Sequence, residues 1–93
     1  MLIRYFGAAK AASGVEEETL PVGGPGGVPS GASLNDLLEL LGSRHPQAPA
    51  DTPPLKSVIS RSTFLVNGYA ARDRSMILES GDTVDILPPF AGG

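Results

Sequence analysis

The stretch TFLVNGYAA, residues 63–71, decides the fold of this chain. It consists of an alternating apolar run, the pair Asn67-Gly68, and a second short run that contains an aromatic residue. Asn-Gly between two such runs is the strongest short-range signal for a β-hairpin, because a two-residue type I′ turn needs positive φ at both positions. The stretch therefore predicts two antiparallel strands.

Three further strands are predicted outside this hairpin. MLIRYF, residues 1–6, is a short run of bulky apolar and aromatic residues, and EEETLPV, residues 16–22, forms a second strand that ends at Pro21. GDTVDILPP, residues 81–89, supplies a turn followed by a final strand over residues 83–87. Period-two alternation in the first and last of these runs places bulky side chains on both faces of the sheet.

One well-marked helix lies between the early strands and the hairpin. Ser33 is a good N-cap, Asp36 stands in the capping-box position, and Gly42 followed by Pro46 is predicted to end the helix. Four leucines recur at the spacing i, i+3, i+4 and i+7, which gives the helix one apolar face: Leu34, Leu37, Leu38 and Leu41. Strands, a helix and more strands predict an α+β domain in which the helix lies across one face of a small mixed sheet.

Two weaker segments complete this coarse assignment. AAKAAS, closed by Gly14, favours a short helix, and LKSVIS at residues 55–60 is a short apolar segment of undecided type.

GGPGGVPSG, residues 23–31, has no hydrophobic period and too much Gly and Pro for a regular element. We expect a flexible surface loop over residues 22–32, and replacing the segment from Gly23 to Gly31 with a short polar turn should leave the melting temperature unchanged or raise it.

Length and composition narrow the classes of function. Ninety-three residues fit a single domain, residues 1–93, with one modest core. A formal net charge of −3 without a basic stripe argues against nucleic acid as a partner, and the absence of Cys excludes disulfides and thiolate metal ligands. No stretch approaches the roughly 20 apolar residues of a membrane helix, so a cytoplasmic protein that does not bind membranes is expected.

Residue types that often carry catalysis do not converge here. The GGPGG segment lacks the Lys-Ser/Thr of a phosphate-binding loop, and His45 has no second His or Cys with which to hold a metal, so it is interpreted as a solvated helix-end histidine. Glu16, Glu17 and Glu18 are consecutive and are interpreted as an exposed strand edge that discourages strand addition. The sequence therefore favours a carrier or a binding module over an enzyme that is catalytic alone.

The segment LPPFAGG, residues 87–93, is the strongest functional candidate. Pro88 and Pro89 fix φ and cannot donate to a sheet, so they end the last strand and continue it as a stiff arm. Gly92 and Gly93 lack Cβ atoms, can enter a narrow channel and leave the terminal carboxyl carbon open to attack. We interpret Gly93 as the reactive residue. The rest of the arm, which would enter a partner's channel, is Pro88, Pro89, Phe90, Ala91 and Gly92.

Several motifs together resemble one known family. RYFGAAKAASG near the start, VNG in the hairpin, GDTVDILPP and the final AGG resemble the small subunit of molybdopterin synthase, the MoaD-type sulfur carrier of the ubiquitin-like β-grasp superfamily. The resemblance implies a β-grasp fold and a Gly93 carboxylate that a ubiquitin-activating-type enzyme adenylates with ATP. A sulfur donor enzyme would then form a thiocarboxylate, which the large synthase subunit receives to sulfurate a pterin precursor. ATP would belong to the activating partner, and this chain would hold no cofactor or metal.

Alternatives remain open at this point. Sulfur carriers of thiamin or cysteine synthesis also end in Gly-Gly, a ubiquitin-like modifier would use the same activated carboxyl, and a regulatory binding module would leave the tail idle. The loop at residues 23–31 and the Pro-rich stretch at residues 46–54 are longer than a compact β-grasp requires. These two segments leave the use of the tail unchanged but put the choice of partner in doubt.

Strand parity predicts which sheet face meets a partner. One set of side chains should face the helix: Ile3, Tyr5, Phe64, Val66, Val84 and Ile86. Phe6, Leu65 and Leu87 should then point the other way, close to the functional tail. Apolar residues on an outer face suggest a partner surface, and we expect these three to contact the large subunit.

Overall fold

The strands of the computed structural model, which describes residues 1–89, form one mixed sheet. The elements in chain order are β1 (Leu2–Tyr5), α1 (Gly7–Ser13), β2 (Glu17–Thr19), α2 (Leu34–Arg44), α3 (Leu55–Ser60), β3 (Thr63–Val66), β4 (Tyr69–Ala70) and β5 (Thr83–Leu87). Their order across the sheet is β2-β1-β5-β3-β4, with β1 and β5 parallel in the centre and every other pair antiparallel. The prediction of an α+β fold with a small mixed sheet is confirmed.

The hairpin forms where the sequence predicts it. Asn67 and Gly68 adopt φ of 54° and 85°, and β3 pairs with β4 on either side of them. The Asn67 side chain also accepts a hydrogen bond from the backbone N–H of Thr83 at 2.9 Å and donates one to Asp82 Oδ1 at 2.9 Å. The turn is therefore fastened to the beginning of β5, which sets the register of the strand that leads into the tail.

Helix α2 begins with the predicted capping box. Ser33 Oγ accepts from the backbone N–H of Asp36 at 3.1 Å, and Asp36 Oδ2 accepts from the backbone N–H of Ser33 at 3.0 Å. These two bonds satisfy donors that a helix start otherwise leaves unpaired. The four predicted leucines are all buried in the same core as the inward side chains of the strands. The apolar face of the helix therefore covers one side of the sheet.

Gly42, the first of the two residues predicted to end α2, lies inside the helix, whereas the second, Pro46, follows its end. The helix continues through Gly42 to Arg44, and His45 is its C-cap. A Cβ on Gly42 would lie 3.5 Å from the Cβ of Lys56, in ordinary contact, so the glycine marks the place where α2 and α3 approach each other. The space would also admit an alanine, so helix packing does not require this glycine, and Pro46 is the residue that stops further helix.

His45 is half-buried, which corrects the interpretation of a solvated histidine. Its Nε2 lies 2.9 Å from Glu18 Oε2, and its ring meets the ring of Tyr5 edge-on with centroids 5.9 Å apart. Arg44 Nε also donates to Glu18 Oε1 at 3.2 Å. Glu16, just before β2, and Glu17, within it, are exposed as predicted, whereas the side chain of Glu18 is only 15% exposed and ties β2 to the end of α2.

The Gly/Pro-rich segment contributes to the core, although it holds no helix or strand. Val28 is 1% exposed, its N–H donates to the carbonyl of Pro21 at 2.9 Å, and the N–H of Gly23 donates to the carbonyl of Val28 at 2.7 Å. The burial of Val28 argues against the expectation that the segment from Gly23 to Gly31 can be replaced without a loss of stability, and that expectation stays a prediction. The predicted flexibility of residues 22–32 likewise stays a prediction.

The sheet face toward α2 carries the predicted side chains. All six residues assigned to it by parity are buried, and Tyr5 is among the largest of them: Ile3, Tyr5, Phe64, Val66, Val84 and Ile86. The hydroxyl of Tyr5 is buried without a hydrogen-bond partner among the described residues. Burial raises the pKa of this phenol, and the nearby Glu18 carboxylate raises it further. The hydroxyl thus lies near the Glu18 carboxylate without reaching hydrogen-bond geometry.

We expect Tyr5→Phe to preserve or increase stability by up to about 1 kcal/mol, because it removes a buried hydroxyl that makes no hydrogen bond. Urea unfolding of the variant and of the parent protein measures the change in the free energy of unfolding. Tyr69→Phe is the matched control, since Tyr69 is 79% exposed and should show no change. A loss above about 1 kcal/mol for Tyr5→Phe alone would mean that the hydroxyl is hydrogen-bonded in solution.

Candidate functional site

The sheet face opposite α2, which we call the outer face, holds the predicted contact residues. Leu65 and Leu87 alternate with the buried residues of β3 and β5, and both are half-buried. Phe6 directly follows β1 and is 40% exposed, and its ring lies 5.9 Å from the guanidinium carbon of Arg4. The structure therefore brings Phe6, Leu65 and Leu87 to the predicted side, while their role in an interface stays a prediction.

An ion pair lies in the middle of the outer face. Arg4 and Asp85 are paired in the register of the parallel strands β1 and β5, and Leu65 is the partner of Asp85 on β3. Arg4 Nε lies 2.6 Å from Asp85 Oδ1, and Nη2 lies 2.7 Å from Oδ2, which is a bidentate contact. The hydrogen bond to Asp85, together with its charge, raises the pKa of the Arg4 guanidinium.

Arg4 lies between Ile3 and Tyr5, so strand parity puts it on the outer face, whereas Asp85 had no predicted role. The available signal was parity, because Asp85 lies between Val84 and Ile86, two residues assigned to the inner face. What was missing was the parallel pairing of the first and last strands, which puts Asp85 directly beside Arg4. Only 4% of Asp85 is exposed, so this carboxylate depends on Arg4 for compensation of its charge.

The root of the tail emerges at the end of β5. The strand ends at Leu87 as predicted, Pro88 is half-buried and Pro89 is exposed. A groove of about 350 Å³ runs beside them, lined by Ala8, Pro53, Ser57, Val58, Arg61, Pro88 and Pro89. The predicted reactive residue Gly93 and the tail residues Phe90, Ala91 and Gly92 lie outside the described residues. The described part of the candidate site therefore consists of the outer face and of Pro88 and Pro89, where the predicted arm begins.

Other kinds of site are not built by residues 1–89. This part of the chain contains no group of three His, Asp or Glu side chains arranged to hold a metal ion. None of its helices combines the length and the apolar character needed to cross a membrane. The histidine is already engaged by Glu18, so among the described residues the outer face and the tail root remain the best candidates for function.

Comparison with solved structures shows the same fold in small archaeal proteins. Small archaeal modifier protein 1 from Haloferax volcanii has a TM-score of 0.73 at 22% identity, with 100% of this chain and 98% of that chain covered. A putative molybdopterin converting factor, subunit 1, from Pyrococcus furiosus has a TM-score of 0.69 at 24% identity, with 96% and 95% covered. Both similarities establish the ubiquitin-like β-grasp fold.

Small archaeal modifier protein 1 from Methanosarcina acetivorans is also similar, with a TM-score of 0.71 at 26% identity over 99% of this chain and 94% of that one. No curated protein sequence matches the chain. The model of the ThiS family matches residues 3–93, nearly the whole sequence, and it includes both final glycines. The family resemblance in the sequence is thereby confirmed, and the chain belongs to the ThiS family of ubiquitin-like proteins, the group of the ThiS and MoaD types.

Proposed function

We propose that this protein is a sulfur carrier of molybdopterin biosynthesis whose working group is the Gly93 carboxylate. The observation that carries the proposal is the family match through residue 93, which includes the Gly-Gly pair, on a fold whose last strand leads directly into Pro88 and Pro89. The similarity to a putative molybdopterin converting factor subunit supports this pathway over the other sulfur carriers. Activation requires ATP, which favours action in the cytoplasm.

The chemistry explains why such a carrier needs partners. A carboxylate is a poor electrophile until one of its oxygens becomes part of a good leaving group. An oxygen of Gly93 would attack the α-phosphorus of ATP in the activating enzyme, with release of pyrophosphate, and hydrosulfide (HS⁻) supplied by the donor enzyme would then displace AMP from the acyl carbon. The product is a thiocarboxylate, a soft nucleophile on a protein handle, which the large synthase subunit would receive with its pterin precursor.

The proposal is tested by intact-mass analysis after incubation with ATP, the activating enzyme and a sulfur source. A sulfur carrier should gain the mass difference between one sulfur and one oxygen, and it should lose that gain when the large synthase subunit and precursor are added. A tail that gains no sulfur under these conditions would contradict the carrier function. Omission of ATP is the control, because the carboxylate cannot be adenylated without it.

A ubiquitin-like modifier is the second candidate function. It is favoured by the similarity to two small archaeal modifier proteins, one of them 26% identical over 99% of this chain. Both functions begin with the same adenylate, so they separate only at the acceptor. In the same incubation, an amide bond between Gly93 and lysine side chains of other proteins would identify the modifier, whereas sulfur passed to the pterin precursor would identify the carrier.

Binding to the large subunit should depend on the apolar residues of the outer face. We expect Phe6→Ala combined with Leu87→Ala to weaken this complex by at least about tenfold, because truncating apolar anchors at an interface typically has such effects. Calorimetric titration measures the affinity, and thermal unfolding checks that the fold is retained. Tyr69→Ala combined with Ile77→Ala is the matched control, since both side chains are exposed away from this face. Unchanged binding by the first variant would assign the interface to another surface.

A further inference from the structure

We propose that the Arg4–Asp85 pair selects the protein that covers the outer face, by requiring an uncharged hydrogen-bond acceptor opposite the Arg4 guanidinium. The partner then presents one main-chain carbonyl or side-chain amide oxygen at this point, beside the apolar groups that cover Phe6, Leu65 and Leu87. The inference rests on the proposed function, because the protein meant is the large synthase subunit that receives the tail. It adds the chemistry by which that subunit is recognised.

The two members of the pair differ in how much they face outward. The side chain of Asp85 is 6% exposed, whereas that of Arg4 is 43% exposed, so a covering protein meets the guanidinium first. An arginine side chain has five N–H donors, and the two contacts with Asp85 use the Nε donor and one on Nη2. The remaining donors are available to a partner or to water.

An apolar covering surface would leave these donors without acceptors. A guanidinium that loses its water without gaining a hydrogen bond is strongly unfavourable, and the cost is larger for a charged group than for a neutral one. The apolar side chains around the pair, those of Phe6, Leu65 and Leu87, favour a dry interface. The ion pair within that apolar surface therefore disfavours partners that are apolar throughout. Such partners would leave the Arg4 donors without hydrogen bonds, and this penalty discriminates against them.

The charges nearby indicate that the acceptor is neutral. Asp85 already balances Arg4, and Glu17 is the register partner of Arg4 on the other side, on β2. Glu16 and Glu17 are exposed, and neither forms an ion pair with any residue of the described range 1–89. Lys10 lines the same surface depression as Arg4, Glu16 and Glu17. With Asp85, two cationic and three anionic side chains meet here, so one excess negative charge remains to repel a carboxylate from a partner. A carbonyl or amide oxygen accepts the hydrogen bond without that repulsion.

The test is a calorimetric titration of the full-length protein with the purified large subunit. Arg4→Leu combined with Asp85→Leu removes the pair and leaves no buried charge behind, and we expect it to weaken binding about tenfold or more. Arg4→Lys keeps the ion pair but lacks the planar fork of donors, and it should weaken binding several-fold. Arg44→Leu combined with Glu18→Leu is the control, since it removes another ion pair, together with the contact between Glu18 and His45, away from the outer face.

Each outcome has one meaning. If the parent protein binds and the variant with Arg4→Leu and Asp85→Leu binds equally or more tightly, the inference fails while the proposed function stands. If the parent protein does not bind, the proposed function fails. An equal loss in the control would also overturn the inference, because the effect would not belong to this face. If the double Leu variant does not fold, the affinity of the Arg4→Lys variant for the large subunit decides between these outcomes.

The loss of affinity should be nearly independent of salt concentration if the acceptor is neutral. A loss of affinity that becomes much smaller at high salt would contradict a neutral acceptor.

Discussion

Adding one residue after Gly93, or deleting Gly93, should abolish sulfur transfer and leave the fold intact. An extra residue moves the carboxylate about 3.5 Å along an extended chain, and deletion leaves it short by a similar distance. Reacting groups tolerate errors of only about one ångström, so either change places the carbon out of reach in a partner's active site. The core has no part in this effect, because β5 ends at Leu87, well before the last glycine.

The measurement is the gain of sulfur mass with ATP, the activating enzyme and a sulfur source, followed by transfer to the precursor. Two extended variants separate the causes: an added Gly changes only the length, and an added Ala also introduces a Cβ. Thermal unfolding of all variants should match that of the parent protein. Normal transfer by either the extended or the shortened tail would rule out the carrier hypothesis, since the position of the carboxylate would then not matter.

Local signals in the sequence were sufficient to predict most of the elements. The turn at Asn67-Gly68 and the capping box at Ser33 and Asp36 each depend on residues within three positions of one another, and both were confirmed. Alternation along β3 and β5 likewise assigned the inner face correctly. Such features are predictable because the competing conformations are excluded by φ preferences and by the cost of unpaired backbone donors.

Features that depend on residues distant in the chain were missed. Asp85 is 81 positions from Arg4, and His45 is 27 positions from Glu18. Nothing in their immediate sequence distinguishes a paired carboxylate or histidine from a solvated one, because the partner is supplied by the strand order. Gly42 was also misinterpreted, because a glycine that often follows the end of a helix is tolerated inside one at a cost of about 1 kcal/mol relative to alanine.

The Gly/Pro-rich segment shows the same limit. Its composition indicated a loop correctly, but composition does not reveal that Val28 returns to the core. The segment is held by hydrogen bonds of Val28 with Pro21 and Gly23. Gly27 immediately precedes Val28, and a Cβ at that position would collide with the main-chain oxygen of Pro21 and lie 2.6 Å from its Cγ. Gly27 is therefore required because the backbone at Pro21 approaches it closely.

Gly27→Ala should accordingly destabilise the protein by roughly 1–3 kcal/mol, the range found when atoms are forced into a packed region. Relief of the collision must move the loop, because the obstacle is backbone, and this movement draws Val28 away from the core. Urea unfolding gives the change in free energy, and Gly81→Ala is the matched control, since a Cβ there meets no atom within 4 Å. Equal stability of Gly27→Ala and the parent protein would show that residues 22–32 do not pack in solution, and the original expectation of a dispensable loop would then be correct. Because the site lies apart from the outer face and the tail, sulfur transfer by the folded variant should be unchanged.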